Sequence, residues 1–63
     1  MITIGTKAQA LEVYDEVLLT SGLVWMITFK LSVGTIIAVQ LHRNDEKIRV
    51  WWNLDDIVNK VTY

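Results

Sequence analysis

Sixty-three residues are expected to form one small domain, residues 1–63, near the lower size limit for folding alone. A chain this short buries only about 60% of its unfolded surface. With no Cys and a single His, no disulfide, thiolate site or His-based structural metal site is expected to staple it. Dense apolar packing or self-association must supply the stability instead. Apolar residues make up 52% of the chain and the mean hydropathy is +0.34, more than so small a core can hide. A homodimer is the expected outlet. The net charge of −1 argues against generic, salt-driven DNA binding.

In chain order, Met1–Ile4 reads as a short strand that turns at Gly5. No basic or apolar signal-peptide region follows Met1, and a cytoplasmic location is expected. Thr6 and Gln9 form a capping box at the head of a predicted helix from Lys7 to about Thr20. Its apolar stripe is Ala10, Leu11, Tyr14, Val17 and Leu18, with Glu12, Asp15 and Glu16 opposite and Gly22 as a left-handed cap. Three strands then follow: Trp25–Leu31, Thr35–His42 and Lys47–Trp52. A Ser32-Val33-Gly34 loop and an Arg43-Asn44-Asp45-Glu46 turn join them. Asn53 caps a last predicted helix, with Leu54, Ile57, Val58 and Val61 at i, i+3, i+4 and i+7. The expected fold class is α+β, (β)-α-β-β-β-α. It would have two layers, with both helices packed on one face of a three-stranded antiparallel meander.

Alternation assigns the two faces of that meander. With Leu31 across from Thr35, Phe29 meets Ile37 and Ile27 meets Val39. With Arg43 across from Glu46, Leu41 meets Ile48, Val39 meets Val50 and Ile37 meets Trp52. This puts Phe29, Leu31 and Trp52 inside. Met26, Thr28, Lys30, Ile36, Gln40, His42, Lys47, Arg49 and Trp51 then point outward. Thr28, Ala38 and Trp51 share one outer row, and Met26, Gln40 and Arg49 the next. Every charge on that face is positive.

An outward Trp among cations has three readings. It can be a solvated face on which Lys and Arg stems cover the ring, a protein interface, or a platform for single-stranded nucleic acid. The third is weak, with one aromatic, three cations and no RNP-type motif. The expected partner-binding residues are Trp51, Arg49, Lys47, Lys30, Met26, Gln40, His42 and Ile36.

The α-β-β-β-α order is similar, in topology only, to that of double-stranded-RNA-binding domains. Those bind phosphate with a lysine cluster at the start of the last helix. The same position here reads Asn53-Leu54-Asp55-Asp56, so their function does not carry over.

Catalysis is not expected. His42 is the one imidazole, the paired acids Asp15-Glu16 and Asp55-Asp56 diverge on helices, and no glycine-rich loop is present. No cofactor or metal is implied. Val17–Leu41 holds one charge, Lys30, over a length that could cross a bilayer, which leaves a small single-pass membrane protein as a further alternative. The period-two pattern disfavours it. The favoured reading is a non-enzymatic interaction module, a small regulator or inhibitor of the kind that phages and mobile elements encode as accessory proteins.

Overall fold

The structure, a computed structural model, describes residues 2–62, with side chains from residue 5 onward. Its strands are β1 (Ile2–Lys7), β2 (Glu16–Leu18), β3 (Val24–Val33), β4 (Ile36–Arg43), β5 (Glu46–Asn53) and β6 (Ile57–Val61). One 3₁₀ turn covers Ala8–Ala10. The strands form an antiparallel sheet in the order β1-β6-β2-β3-β4-β5. The expected α+β fold is therefore overturned. Among the described residues there is no α-helix, and the likeness to double-stranded-RNA-binding domains lapses with the helices. Nor is any helix among them long and apolar enough to cross a membrane. β1 extends the predicted Met1–Ile4 strand, of which Met1 lies outside the described residues.

Both helix predictions fail for local reasons. In the first segment the 3₁₀ turn closes at Leu11, whose amide donates to the Ala8 carbonyl. Asp15 then folds back on the chain. Its Oδ2 accepts from the Glu12 amide at 2.9 Å, and its own amide donates to the Glu12 carbonyl. Such short Asp loops compete with helical bonding. Tyr14 takes a positive φ of 76°, its amide donates to the Ile27 carbonyl, and the Ile27 amide donates to the Asp15 carbonyl. Two residues thus oppose one across the ladder, with the first left-handed, which is the G1 bulge. β2 follows directly, and the Thr20-Ser21-Gly22 loop turns it into β3. Gly22, with φ 84°, serves a hairpin where a helix cap was expected.

In the second segment the side chains of Asn53 and Asp56 close a turn, and no helix follows for Asn53 to cap. Asn53 Oδ1 accepts from the Asp55 amide, and Asp56 Oδ2 accepts from the Asn53 amide at 2.7 Å. The chain then extends. Ile57, Val58 and Val61 are β-branched and favour a pleated surface over a helix. β6 inserts between β1 and β2, placing Lys60 across from Thr3 and Val17.

The sheet curls over its own core in place of a second layer. Ala8, Leu11, Val17, Trp25, Ile27, Ile37, Val39 and Leu41 form the buried cluster. Trp52 from edge strand β5 and Val58 from β6, far apart in strand order, both pack on it.

The β4–β5 register is the expected one: Leu41 meets Ile48, Val39 meets Val50, and Ile37 meets Trp52. The β3–β4 register is not. Val33 pairs with Ile36, so the loop is Gly34-Thr35, with φ 59° at Gly34. This is the II′ pattern, with glycine first. The ladder then runs Ser32–Ile37, Leu31–Ala38, Lys30–Val39 and Phe29–Gln40. It resumes at Ile27–Leu41, leaving Thr28 as an extra residue. The Thr28 hydroxyl donates to the Gln40 carbonyl at 3.2 Å. Above Thr28 the pairing is offset by three residues from the expected one, and below it by two; an odd offset reverses the faces and an even one keeps them. Phe29 and Leu31, expected inside, point out. Lys30, expected outside, points in.

Inside, the Lys30 ammonium donates to the carbonyls of Gln9 and Leu11. It ties the 3₁₀ segment down over the sheet. Lys30→Ala should therefore cost about 1.5–3 kcal/mol, the range for hydrogen bonds to charged groups. Lys47→Ala, on the exposed strand, should stay within about 0.5 kcal/mol. Urea unfolding followed by circular dichroism measures both, and equal effects would contradict this placement of Lys30.

Candidate functional site: the outer face of β3, β4 and β5

Cross-strand pairing builds the outer face as rows. Nearest the Gly34-Thr35 turn lie Val33, Ile36 and Asn53. Next come Leu31, Ala38 and Trp51, then Phe29, Gln40 and Arg49, and last Met26, His42 and Lys47. The face therefore grades from apolar at the hairpin end to cationic at the other.

The apolar members are exposed to an unusual degree for large hydrophobes. Trp51 is 65% exposed, Val33 61%, Phe29 53%, Leu31 47% and Ile36 44%. A single exposed hydrophobe is ordinary, but a contiguous set marks a contact surface. Ala38 makes the middle of the face concave. It sits between Leu31 and Trp51, and its methyl cannot fill the space between them. The result is a depression of about 300 Å³, lined by Phe29, Leu31, Ala38, Gln40, Arg49 and Trp51. Arg49 and Gln40 supply polar groups at its wall, where a docked apolar side chain would need an orienting contact.

Of the expected site residues, Trp51, Arg49, Lys47, Met26, Gln40, His42 and Ile36 share this face, and Lys30 does not. The row containing Trp51 is completed by Leu31 rather than Thr28, and the row containing Arg49 by Phe29 rather than Met26. The expectation of a face free of acids also needs correction. Glu16 pairs with Met26 and continues the row of Lys47 onto β2. Sequence reasoning missed Phe29, Leu31 and Val33. The available signal was the glycine at position 34, because a two-residue loop starting there puts all three outward.

No group of three or more His, Cys, Asp or Glu side chains converges among the described residues. Elsewhere Lys60 Nζ pairs with Asp15 Oδ2 at 3.3 Å and braces β6 against the Glu12–Asp15 loop. The chain matches no protein-family profile, no curated protein and no solved structure.

The adjacent tryptophans should separate cleanly by mutation. Trp51→Ala should change stability by less than about 1 kcal/mol, the size of a cross-strand pair contribution. Trp52→Ala should cost about 3 kcal/mol, the lower end of the range for large aromatic truncations, since the residue is half-buried. Chemical denaturation of the two variants gives the comparison, and a larger loss at Trp51 would mean that the faces are assigned backwards.

Proposed function

We propose that the chain is a non-enzymatic interaction module, a small regulator or inhibitor, that docks a protein partner on the outer face of β3, β4 and β5. The observation that carries the reading is the apolar depression around Ala38, with Trp51, Phe29 and Leu31 exposed about it. Interfaces concentrate binding energy in a few aromatic and Arg side chains set in such pockets, ringed by polar groups. Here Trp51 and Arg49 are the anchors, and His42, Lys47 and Gln40 form the rim. The cations favour a partner with acidic groups around an apolar protrusion, and they steer its approach.

A second reading, single-stranded nucleic acid, gains from the exposure of Phe29. Two aromatics, Phe29 and Trp51, then stand on one sheet face beside Arg49, as base stacking requires. It loses Lys30, which lies on the inner face, and gains an acid, Glu16, in the row of Lys47. Leu31, Val33 and Ile36 offer nothing to a base or a phosphate, and the protein reading accounts for them.

Affinity capture from the native cell extract identifies the partner, and titration of the purified pair tests the face. Trp51→Ala and Ala38→Leu, which fills the depression, should each weaken binding by about 30-fold or more, the cost of losing an interface anchor. The Ile57→Asp control on β6 should bind as wild type does. Wild-type affinity in both face variants would overturn the proposal. Binding of a labelled oligonucleotide that persists at physiological salt and is lost in Phe29→Ala would replace it with the second reading.

A further inference from the structure

The outer edge of β5 has no strand beside it among the described residues, since β5 ends the sheet order. In a hairpin with a two-residue loop, the residues flanking the loop exchange both backbone bonds, and bonded positions then alternate along the ladder. Arg43 and Glu46 flank the Asn44-Asp45 loop. Glu46, Ile48, Val50 and Trp52 therefore bond to β4, while Lys47, Arg49 and Trp51 aim their N–H and C=O groups at the open edge. Asn53 checks this phase. Its amide donates to Asp56 Oδ2 and its carbonyl accepts from the Asp56 amide, so its backbone is engaged away from β4. The same bonds close the edge at Asn53. What remains is a short template of unpaired backbone at Lys47, Arg49 and Trp51, the residues whose side chains lie on the outer face. Unpaired edges of this kind recruit another strand.

Charge selects the occupant. Two copies meeting antiparallel about a two-fold axis must place edge-directed residues across from one another. An axis at Lys47, Ile48 or Arg49 sets cation against cation, which is unfavourable for directly opposed pairs. An axis at Trp51 leaves one complete edge-directed pair, Trp51 across from Trp51, because Arg49 then meets the closed backbone of Asn53. An axis at Val50 sets Arg49 of each copy across from Trp51 of the other, a cation–π pair made twice. It also brings Lys47 to the Asn53 end of the second copy, where Asp55 and Asp56 follow. On the inner side Val50 meets Val50, and Ile48, 42% exposed in the single chain, meets Trp52. We propose that two copies of this chain join through their β5 edges, antiparallel, with the two-fold axis at Val50. The two outer faces then become one continuous surface. The proposal does not rest on what that surface binds.

The chain has no cysteine, so single cysteines report register directly. Two residues facing each other in a non-hydrogen-bonded pair have Cα atoms about 4.5 Å apart, within the disulfide range of roughly 4.4–6.8 Å. Under mild oxidation at micromolar concentration, Val50→Cys should form a covalent dimer. Arg49→Cys and Trp51→Cys should each stay monomeric on a non-reducing gel, and a mixture of the two should cross-link. Sedimentation of the wild type should give a dimer. Arg49→Pro removes an edge-directed amide without touching a bond to β4, so it should keep the β-sheet circular dichroism spectrum and sediment as a monomer. A monomeric wild type at 100-micromolar order, a folded Arg49→Pro that stays dimeric, or stronger cross-linking at Arg49 alone than at Val50 would each overturn the proposal. None of these readouts depends on the outer face having a partner.

Discussion

The extra residue at Thr28 is the constraint on which the rest of the molecule depends. Below it, Trp25 and Ile27 must enter the core. Above it, the Gly34-Thr35 turn sets Phe29 against Gln40 and Leu31 against Ala38, residues of the outer face. An unbroken ladder cannot satisfy both, because it would put Ile27 across from outward His42. One unpaired residue between them resolves the conflict, as β-bulges do when they re-aim side chains. Lys30 thereby comes inside to hold the carbonyls of Gln9 and Leu11, and three large hydrophobes go outside beside Trp51. The bulge thus builds the lid of the core and the candidate docking face in one step.

That arrangement runs against simple stability. A small domain gains most by burying Phe29 and Leu31, and Lys30 inside needs hydrogen-bonded carbonyls to be tolerated. Local rules that a sequence breaks without a stability gain tend to mark functional surfaces. Tyr14 is a second instance. It holds the left-handed position of a G1 bulge, where glycine is the low-cost residue, and the residue is 75% exposed.

The meander and the start of β1 were legible in the sequence, and the rest of the fold was not. Alternation located β3, β4 and β5 to within a few residues, and the Asn44-Asp45 turn set the β4–β5 register, including Trp52 inside and Trp51 outside. The β3–β4 register departs from the expected one because perfect alternation from Trp25 to Leu31 conceals an inserted residue, and because Gly34 begins a two-residue loop instead of ending a three-residue one. The two helices failed because apolar positions three and four apart also occur in short strands separated by turns. Asp15 and Asp56 each fold back on the amide three residues earlier, a contact that caps a helix or closes a turn equally well. Only pairing of β6 with two strands distant in sequence decides for extension, and that pairing has no local signature. Within the candidate site, the members on β4 and β5 could be read directly. Those on β3 were inverted with the strand.

Nuclear Overhauser contacts across β3 and β4 test the inverted strand most directly. The bulged register places Leu31 across from Ala38, close enough to the Trp51 indole for side-chain contacts, and brings the Lys30 side chain to Leu11. Those two sets of contacts, with none between Phe29 and Ile37, are the expected result. Phe29 in contact with Ile37, together with a Lys30 side chain free of Leu11, would contradict it.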